Sequence, residues 1–335
     1  MSASNGHLLV TGANSYVAGH VIKLALEKGY RIRGTVRSKS SGDKLLATFS
    51  DFGDKLTYDV VPDITKPEAY NTSFDGITGV IHVASPFNFH PEDIAKDLLE
   101  PARAGAVAIL EATLQYGQSV RRVVAISSFA AVKDISKGMR PGYVYSEKDW
   151  NPMSWDEATK ADPVTAYCAS KAIAEHAMWE WMEAHKDTVK FSLTTLSPPW
   201  VFGPYAGPVD PNHLSESVKL LWDLIGAASV PPTDFAGFID VRDLSQAIVK
   251  AYEKPDAAGQ RFLLGSKFSY QMAADVIRKE FPQVRDKVPE GSPGHGEVED
   301  TYRLDTSKAR KTLGLEFTPV NVTVKDLIAQ ILEAS

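Results

Sequence analysis

Residues 7–18, HLLVTGANSYVA, place a short apolar run directly before a glycine turn and the start of an amphipathic segment. The run is typical of a buried strand, and Gly12 lets backbone N–H groups approach a pyrophosphate at the N-terminus of the next helix. The glycine pattern is degenerate, because Ser15 and Ala18 stand where glycine is common. Alone, the stretch fits a tight strand-to-helix turn equally well, but its place at the first strand of an alternating chain favours a dinucleotide site.

Beyond this stretch, the first half of the chain alternates apolar runs with longer amphipathic segments. The predicted strands are residues 7–11, 31–36, 56–61, 79–83, 122–126 and 191–196. The predicted helices are residues 16–28, 43–49, 92–116 and 163–186. Near-continuous apolar strands separated by helices indicate a parallel sheet covered on both faces. The predicted fold is therefore α/β, a Rossmann-type doubly wound parallel sheet.

The pattern changes from about residue 199, where proline and glycine cluster and the predicted elements become shorter. We predict a dinucleotide-binding domain of residues 1–198, with a return to the sheet near residues 236–253. Residues 199–235 and 254–335 are predicted to form a smaller substrate-binding lobe.

The composition excludes several classes of protein. The 335 residues are 44% hydrophobic and 23% charged, with a net charge of −6 and no basic stripe, which argues against nucleic acid as a partner. No run approaches 18 apolar residues, so no membrane span is expected. The single cysteine, Cys168, and an N-terminus without a secretory pattern favour a cytoplasmic protein. The scattered histidines predict no metal site.

The end of the second strand indicates which dinucleotide binds. Residues 34–39, GTVRSK, have no acid where an NAD site usually places one. Arg37 can grip a 2′-phosphate through its planar guanidinium, and Lys39 or Lys44 can add positive charge. The alternative is a solvated basic turn. The sequence thus favours NADP(H).

Later strand ends supply further candidates along the same edge. Asp63 and Ile64 follow the third strand, where a side chain commonly meets the adenine. Ala84 and Ser85 follow the fourth strand and are expected to border the nicotinamide half.

Residues 162–171, DPVTAYCASK, carry a phenol and an ammonium on one helical face. Asp162 is a good N-cap and Pro163 suits the first helical position, so Tyr167 and Lys171 lie one turn apart. A nearby cation favours the phenolate and makes the phenol a better acid near neutral pH. A carbonyl oxygen needs such an acid during reduction. The alternative is a surface lysine above a half-buried tyrosine.

Ser127 and Ser128 follow the fifth strand, so a hydroxyl is expected in the cleft where ligands bind. It could hydrogen-bond a substrate oxygen and help to stabilise charge there. The alternative is a serine that caps a loop. Serine, tyrosine and lysine in this order, with this glycine turn, form one coherent catalytic constellation.

Several motifs together resemble one family. They are the glycine turn, residues 34–38 GTVRS, 61–64 VPDI, 82–87 HVASPF, 127–128 SS, 150–152 WNP, 166–171 AYCASK, 201–204 VFGP and 238–243 FIDVRD. The chain resembles the extended short-chain dehydrogenase/reductases, in the dihydroflavonol and cinnamoyl-CoA reductase-like branch. Within that branch it is most similar to fungal NADPH-dependent ketoreductases of the methylglyoxal and isovaleraldehyde reductase type.

The resemblance implies a role for each matching residue. Ser128 matches the catalytic serine, Tyr167 the general acid, and Lys171 the lysine that lowers the pKa of the phenol and holds the nicotinamide ribose. The predicted NADP(H) contacts are Gly12, Ala13, Asn14, Ser15, Tyr16, Val17, Arg37, Lys44, Asp63, Ile64, Ala84, Ser85, Tyr167, Lys171, Pro198, Val201 and Ser217. Two departures stand out: Ser15 replaces a common glycine, and Ala104 stands where relatives often carry an asparagine associated with a proton relay.

The predicted activity is NADPH-dependent reduction of a ketone or aldehyde to an alcohol, which makes the protein an oxidoreductase. Phe87, Phe129, Trp200 and Phe235 are the predicted substrate-binding residues, because an aromatic, mostly apolar pocket suits a bulky carbonyl compound. The alternatives are a 3β-hydroxysteroid dehydrogenase or epimerase of the same fold and, outside enzymes, a dinucleotide-sensing regulator. The protein is expected to be a monomer or a homodimer.

Overall fold

A computed structural model describes residues 5–85, 91–298 and 300–335 of the chain. Twelve strands lie in these ranges: β1 His7–Thr11, β2 Arg31–Val36, β3 Leu56–Val60, β4 Gly79–His82, β5 Arg122–Ile126, β6 Val144–Tyr145, β7 Ser192–Ser197, β8 Trp200–Phe202, β9 Gly237–Asp240, β10 Arg261–Leu263, β11 Ser266–Lys267 and β12 Arg303–Leu304. Seven of them form a parallel sheet in the order β10-β7-β5-β4-β1-β2-β3. The predicted doubly wound parallel sheet is confirmed.

Helices cover the sheet and build the lobe. They are α1 Tyr16–Glu27, α2 Lys39–Thr48, α3 Glu100–Tyr116, α4 Trp155–Ala158, α5 Pro163–Ala184, α6 Glu216–Trp222, α7 Val241–Glu253, α8 Tyr270–Glu280, α9 His295–Val298, α10 Ser307–Ala309 and α11 Val320–Glu333. A π-helical turn, Ala95–Leu99, leads into α3. No helix in the described ranges is long and apolar enough to cross a membrane.

Both faces of the sheet are buried, as the continuous apolar strands predicted. Along β1, Leu8 and Val10 belong to the core shared with α1 and α7, whereas Leu9 belongs to the core shared with α3 and α5. Alternate side chains of a strand point to opposite faces, so a strand in this position has to be apolar at every residue.

The strand order reverses between β1 and β4, and this reversal positions the site. The chain builds outward from β1 through β2 to β3, then crosses back to β4 and continues to β5 and β7 on the other side. Loops leaving β1 and β4 therefore separate and open a crevice at the carboxyl ends of the strands, where ligands of such folds bind.

The lobe differs from the prediction in two strands. β9, which was expected to return to the main sheet, instead lies between β8 and β11 in a separate three-stranded sheet. α7 does return and packs against α1. β10, which the prediction gave to the lobe, is the edge strand of the main sheet beside β7. Strands of two to four residues are too short to show which sheet they will join.

The corner between β9 and α7 has the structural role that its charges indicated. Asp240 caps α7 by accepting from Arg242 N–H at 2.8 Å, and it also accepts from the Arg242 guanidinium and from Thr323. Arg242 additionally pairs with Asp326 of α11 at 2.7 Å. These charges join the C-terminal helix α11 to the start of α7.

Candidate active site

Gly12 forms the tight turn between β1 and α1. Its φ is +63°, and a Cβ atom there would lie 3.0 Å from the Ala84 Cα. The turn closes through a hydrogen bond from Ser15 N–H to the Gly12 carbonyl. A side chain at this position would be strained and would fill the crevice between the loops after β1 and β4. The crevice therefore fits a ligand that lies flat against backbone, as a dinucleotide pyrophosphate does.

The first turn of α1 offers backbone amides more than side chains. Asn14 and Ser15 are exposed, and Ser15 occupies the N-cap position without a side-chain capping bond. Tyr16 is turned away, because its hydroxyl donates to the Gly203 carbonyl at 2.6 Å and its ring packs on Tyr205. Val17 is half-buried. Tyr16 can therefore offer a cofactor its backbone amide but not its hydroxyl, whereas the side chains of Asn14 and Ser15 remain accessible.

Arg37 stands exposed at the end of β2, just before the N-cap of α2. Its side chain has no hydrogen bond or ion pair with any residue in the part of the chain that the structure describes. Ser38 caps α2 by accepting from Ser41 N–H, and Lys44 is exposed on that helix. Lys39 instead pairs with Asp43 at 2.7 Å. A free guanidinium beside a helix N-terminus suits a phosphate.

The sequence interpretation missed the hydroxyls at this helix start. Ser38 and Ser41 lie 3.0 Å apart through their Oγ atoms, beside the predicted 2′-phosphate position. The run of serines after Arg37 was visible in the sequence and could have indicated them.

Asp63 and Ile64 follow β3, as predicted, but both already have structural partners. Asp63 Oδ1 accepts from the Thr65 amide at 2.9 Å and from its hydroxyl at 2.6 Å, and these bonds lower the pKa of the Asp63 carboxyl. Ile64 packs beside Gly105 of α3. The second carboxylate oxygen of exposed Asp63 remains open toward solvent.

Tyr167 and Lys171 share one face of α5, as their spacing predicted. The Lys171 Nζ lies 4.8 Å from the centre of the Tyr167 ring and donates to Ser85 Oγ at 2.8 Å. Burial lowers the pKa of Lys171 to about 8 and raises the pKa of Tyr167 above its ordinary value. Burial thus opposes the lower pKa of the phenol that the spacing of Tyr167 and Lys171 predicted.

His82 is the last residue of β4 and lines the same small cavity as Lys171. Burial and, to a smaller extent, the charge of the nearby Lys171 together lower the pKa of His82 to about 4. Its Nδ1 lies 2.9 Å from Thr11 Oγ1, which also accepts from the amide of Ala84 at 3.1 Å. The loop after β4 is thereby tied to the end of β1.

Ser128 follows β5 and is half-exposed. Its Oγ accepts from Ala130 N–H at 3.1 Å, which starts a 3₁₀ turn that packs against α5. The hydroxyl hydrogen of Ser128 is still available to a substrate oxygen. The capping role that the sequence left as the alternative is thus present, and contact of Ser128 with a substrate stays a prediction.

Pro198 lies on the loop after β7, Val201 lies in β8, and Ser217 lies in the first turn of α6. The Pro198 carbonyl accepts from Phe129 N–H at 2.8 Å, and the Ser217 hydroxyl donates to the Val201 carbonyl at 2.8 Å. These bonds join the cleft to the start of the lobe. Contact of the three residues with a cofactor stays a prediction.

The predicted aromatic residues gather beyond Ser128. Trp200 and Phe235 have ring centres 5.8 Å apart and are partly exposed. Phe129 is 0% exposed, so it is a correction to the prediction: it supports the Phe235 ring from 6.0 Å and has no surface for a substrate. Phe87 lies outside the described residues.

Lys133 was missed by the sequence interpretation. It is 4% exposed, and its Nζ donates to the Asp234 carbonyl at 2.7 Å while lying 4.4 Å from the centre of the Phe235 ring. Burial lowers the pKa of Lys133. Its partners are about 100 residues away along the chain, so no local pattern could have indicated this contact.

The correspondence of Ala104 with an asparagine of the relatives stays a prediction. Ala104 is exposed on α3, whereas Ala102 and Ala106 line the small cavity behind Lys171. Consecutive residues of a helix are rotated by about 100° around its axis, so Ala104 lies on a different face of α3 from Ala102 and Ala106.

A sequence profile of the NAD dependent epimerase/dehydratase family matches residues 8–265. The chain belongs to this family. The resemblance inferred from the motifs is confirmed.

Among curated members of the family, the NADPH-dependent methylglyoxal reductase Gre2 of Saccharomyces cerevisiae is 38% identical, covering 97% of this chain and 98% of its own. A cinnamoyl-CoA reductase of Medicago truncatula is 30% identical over 99% of this chain and 98% of its own. The crystal structure of the yeast methylglyoxal/isovaleraldehyde reductase Gre2 complexed with NADPH superposes with a TM-score of 0.92 at 36% identity, covering 98% of each chain. These relatives are oxidoreductases. The yeast structure contains NADPH, in agreement with the preference for NADP(H) that the residues at the end of β2 predicted.

Proposed function

We propose that this protein is an NADPH-dependent reductase of ketones and aldehydes that uses Ser128, Tyr167 and Lys171. The observation that carries the proposal is the Lys171 ammonium, 4.8 Å from the Tyr167 ring at the cleft edge. When bound, NADPH supplies the hydride for the carbonyl carbon. Tyr167 donates the proton to the carbonyl oxygen, and Ser128 donates a hydrogen bond to the same oxygen.

Lys171 has its effect after the proton has left. A cation close to the ring stabilises the phenolate that remains, so the free energy of proton donation falls. The ammonium also projects toward Ser85, where a ribose hydroxyl would find a donor. Lys171 thus serves both proton transfer and cofactor binding.

The choice of NADP(H) over NAD(H) is supported by Arg37. An exposed guanidinium without a protein partner is suited to bind the 2′-phosphate with two parallel hydrogen bonds. The relatives named as NADPH-dependent agree with this choice. The exposed Arg37 guanidinium also argues against an epimerase that retains NAD, although such enzymes belong to the same family.

The substrate is expected to carry a bulky apolar group. Trp200 and Phe235 form a partly exposed aromatic wall, while Lys133 is occupied by the Asp234 carbonyl. A prochiral ketone or aldehyde with an aryl or alkyl substituent fits such a wall.

The test is direct. Purified protein is mixed with NADPH, or with NADH as the control, and with a panel of aryl ketones, aldehydes and α-ketocarbonyls, and the loss of reduced cofactor is followed by absorbance. We expect oxidation of NADPH with several carbonyls and much slower oxidation of NADH. Dinucleotide binding without any oxidation would favour a sensing regulator instead.

Two further expectations from the sequence stay predictions. The protein is expected in the cytoplasm, and as a monomer or homodimer. Fractionation of cells that express the protein measures its location. Light scattering on the purified chain measures its oligomeric state.

A further inference from the structure

Ser127 and Ser128 are adjacent, but their hydroxyls have different partners. Ser127 Oγ donates to Glu175 Oε2 at 2.6 Å, whereas Ser128 Oγ accepts from Ala130 N–H. Ser127 therefore belongs to the wall behind Lys171, while Ser128 belongs to the turn that borders the cleft.

Glu175 is a buried carboxylate that is saturated with donors. It is 2% exposed, and Arg261 donates to both oxygens, from Nε at 2.8 Å and from Nη2 at 3.2 Å. Thr195 Oγ1 donates to Oε1 at 2.6 Å. With Ser127, each oxygen has at least two donors. Since an ionised carboxylate only accepts, the Ser127 hydroxyl hydrogen is held on the Glu175 side and its oxygen is left as an acceptor.

Ser127 and Lys171 both line a cavity of about 40 Å³. Ala102 and Ala106 of α3 line it on one side, and their small side chains leave the space open. One water molecule occupies roughly 30 Å³ in the liquid and needs two to four polar partners when it is buried. The cavity therefore has room for a water molecule between an ammonium donor and a hydroxyl acceptor.

The charge of Lys171 depends on such acceptors. Burial lowers its pKa to about 8, and among the described residues its ammonium donates to Ser85 Oγ at 2.8 Å. Glu175 lines the same cavity, but Arg261 neutralises its charge. Of the other titratable groups around Lys171, burial lowers the pKa of His82 to about 4, raises that of Cys168 to about 12, and raises that of Tyr167. Helix α3 contributes only alanines to this cavity.

We propose that Ser127 is a positioning residue for Lys171, through a water molecule that accepts from Lys171 Nζ and donates to Ser127 Oγ. Glu175, held by Arg261, keeps Ser127 in the accepting orientation. The arrangement stabilises the ammonium form of Lys171 during turnover. It rests on the proposed function, because that function requires Lys171 to be charged.

The test compares the alkaline limb of the pH profile of kcat/KM for matched variants. In Ser127→Ala the ammonium loses an acceptor, so the limb is expected to move to lower pH by about one unit. Ser127→Thr keeps the hydroxyl and is expected to retain the wild-type limb. Thr194→Val is the control, because Thr194 is also buried and donates to the Ala257 carbonyl at 2.6 Å, away from this cavity.

A second variant tests the water directly. Ala106→Val fills the cavity while Ser127 and Glu175 stay in place, and the limb is expected to move in the same direction. If Ser127→Ala fails to fold, the alkaline limb of Ala106→Val still tests the proposed water molecule. Thermal unfolding and NADPH fluorescence titration verify that each variant is folded and binds cofactor.

A limb that stays at the wild-type pH in both Ser127→Ala and Ala106→Val overturns the role of Ser127. Movement of the limb in Thr194→Val by the same amount overturns it as well, because any lost hydrogen bond would then suffice. The proposed function fails separately, if wild-type protein oxidises NADPH with no carbonyl in the panel.

Discussion

The proposed nucleotide side and the proposed substrate side of this cleft are built in different ways. Around Gly12 and Arg37 the surface is backbone, helix N-termini and an exposed guanidinium, all close to the ends of β1 and β2. Around Trp200 and Phe235 it is side chain against side chain, with Lys133 buried among rings from distant parts of the chain. The first kind of site recognises a chemical group common to all dinucleotides, and the second recognises the shape of one substrate.

Tyr167→Phe has the largest expected effect, because Tyr167 stands where the two sides meet. Removing the proton donor should lower kcat by about 1,000-fold, with NADPH binding close to normal. Steady-state kinetics and a fluorescence titration measure the two quantities. If a tenth of the rate remains, Tyr167 is not the proton donor.

Arg37→Glu acts on the nucleotide side alone. It removes a charged pair with the 2′-phosphate and adds repulsion, so the NADPH to NADH ratio of kcat/KM should fall by about 100-fold. KM for the carbonyl substrate should change little. An unchanged ratio would remove Arg37 from the cofactor site.

Gly12→Ala tests whether the crevice is backbone-built. Its Cβ would lie 3.0 Å from Ala84 Cα at a positive φ, so the NADPH dissociation constant should rise by about tenfold. Gly29→Ala is the matched control, since Gly29 also has a positive φ, but a Cβ there meets nothing within 4 Å. Equal effects in the two variants would show that strain, and not the crevice, is responsible.

Trp200→Ala has the smallest expected effect on rate and acts on the substrate side. Losing one ring of the aromatic wall should shift relative kcat/KM between a small aldehyde and a bulky aryl ketone by about fivefold, with the NADPH dissociation constant unchanged. Product stereochemistry is measured on the same samples. If neither the preference nor the stereochemistry changes, Trp200 belongs to the core.

Much of the nucleotide side was predictable because its signals are local. The six predicted strands all appear with ends within one residue of the expected ones. α2 begins at Lys39, four residues before the predicted start at residue 43. The prediction placed the start too late because the serines and the glycine in the first turn weaken the helical pattern of the sequence. The segment predicted as a helix from residue 92 contains the π-helical turn before α3, which hydrophobic periodicity does not show.

The substrate side was predicted less completely, for a physical reason. Phe129 and Trp200 are both large aromatic residues of the kind expected in a pocket, yet Phe129 is fully buried and Trp200 is partly exposed. Hydrophobicity alone cannot separate a ring that lines a pocket from a ring that supports it. That difference depends on which distant segments cover each side chain.

By itself, the sequence determined the parallel sheet, the glycine turn at Gly12 and the shared helical face of Tyr167 and Lys171, because strand burial, turn geometry and helical spacing act over a few neighbouring residues. Only the tertiary structure decided that Ser127 faces Glu175, because the Glu175–Arg261 pair joins residues 86 positions apart. Glu175 and Arg261 come into contact only after the chain has folded, and no local sequence pattern encodes a contact between residues so far apart in the chain.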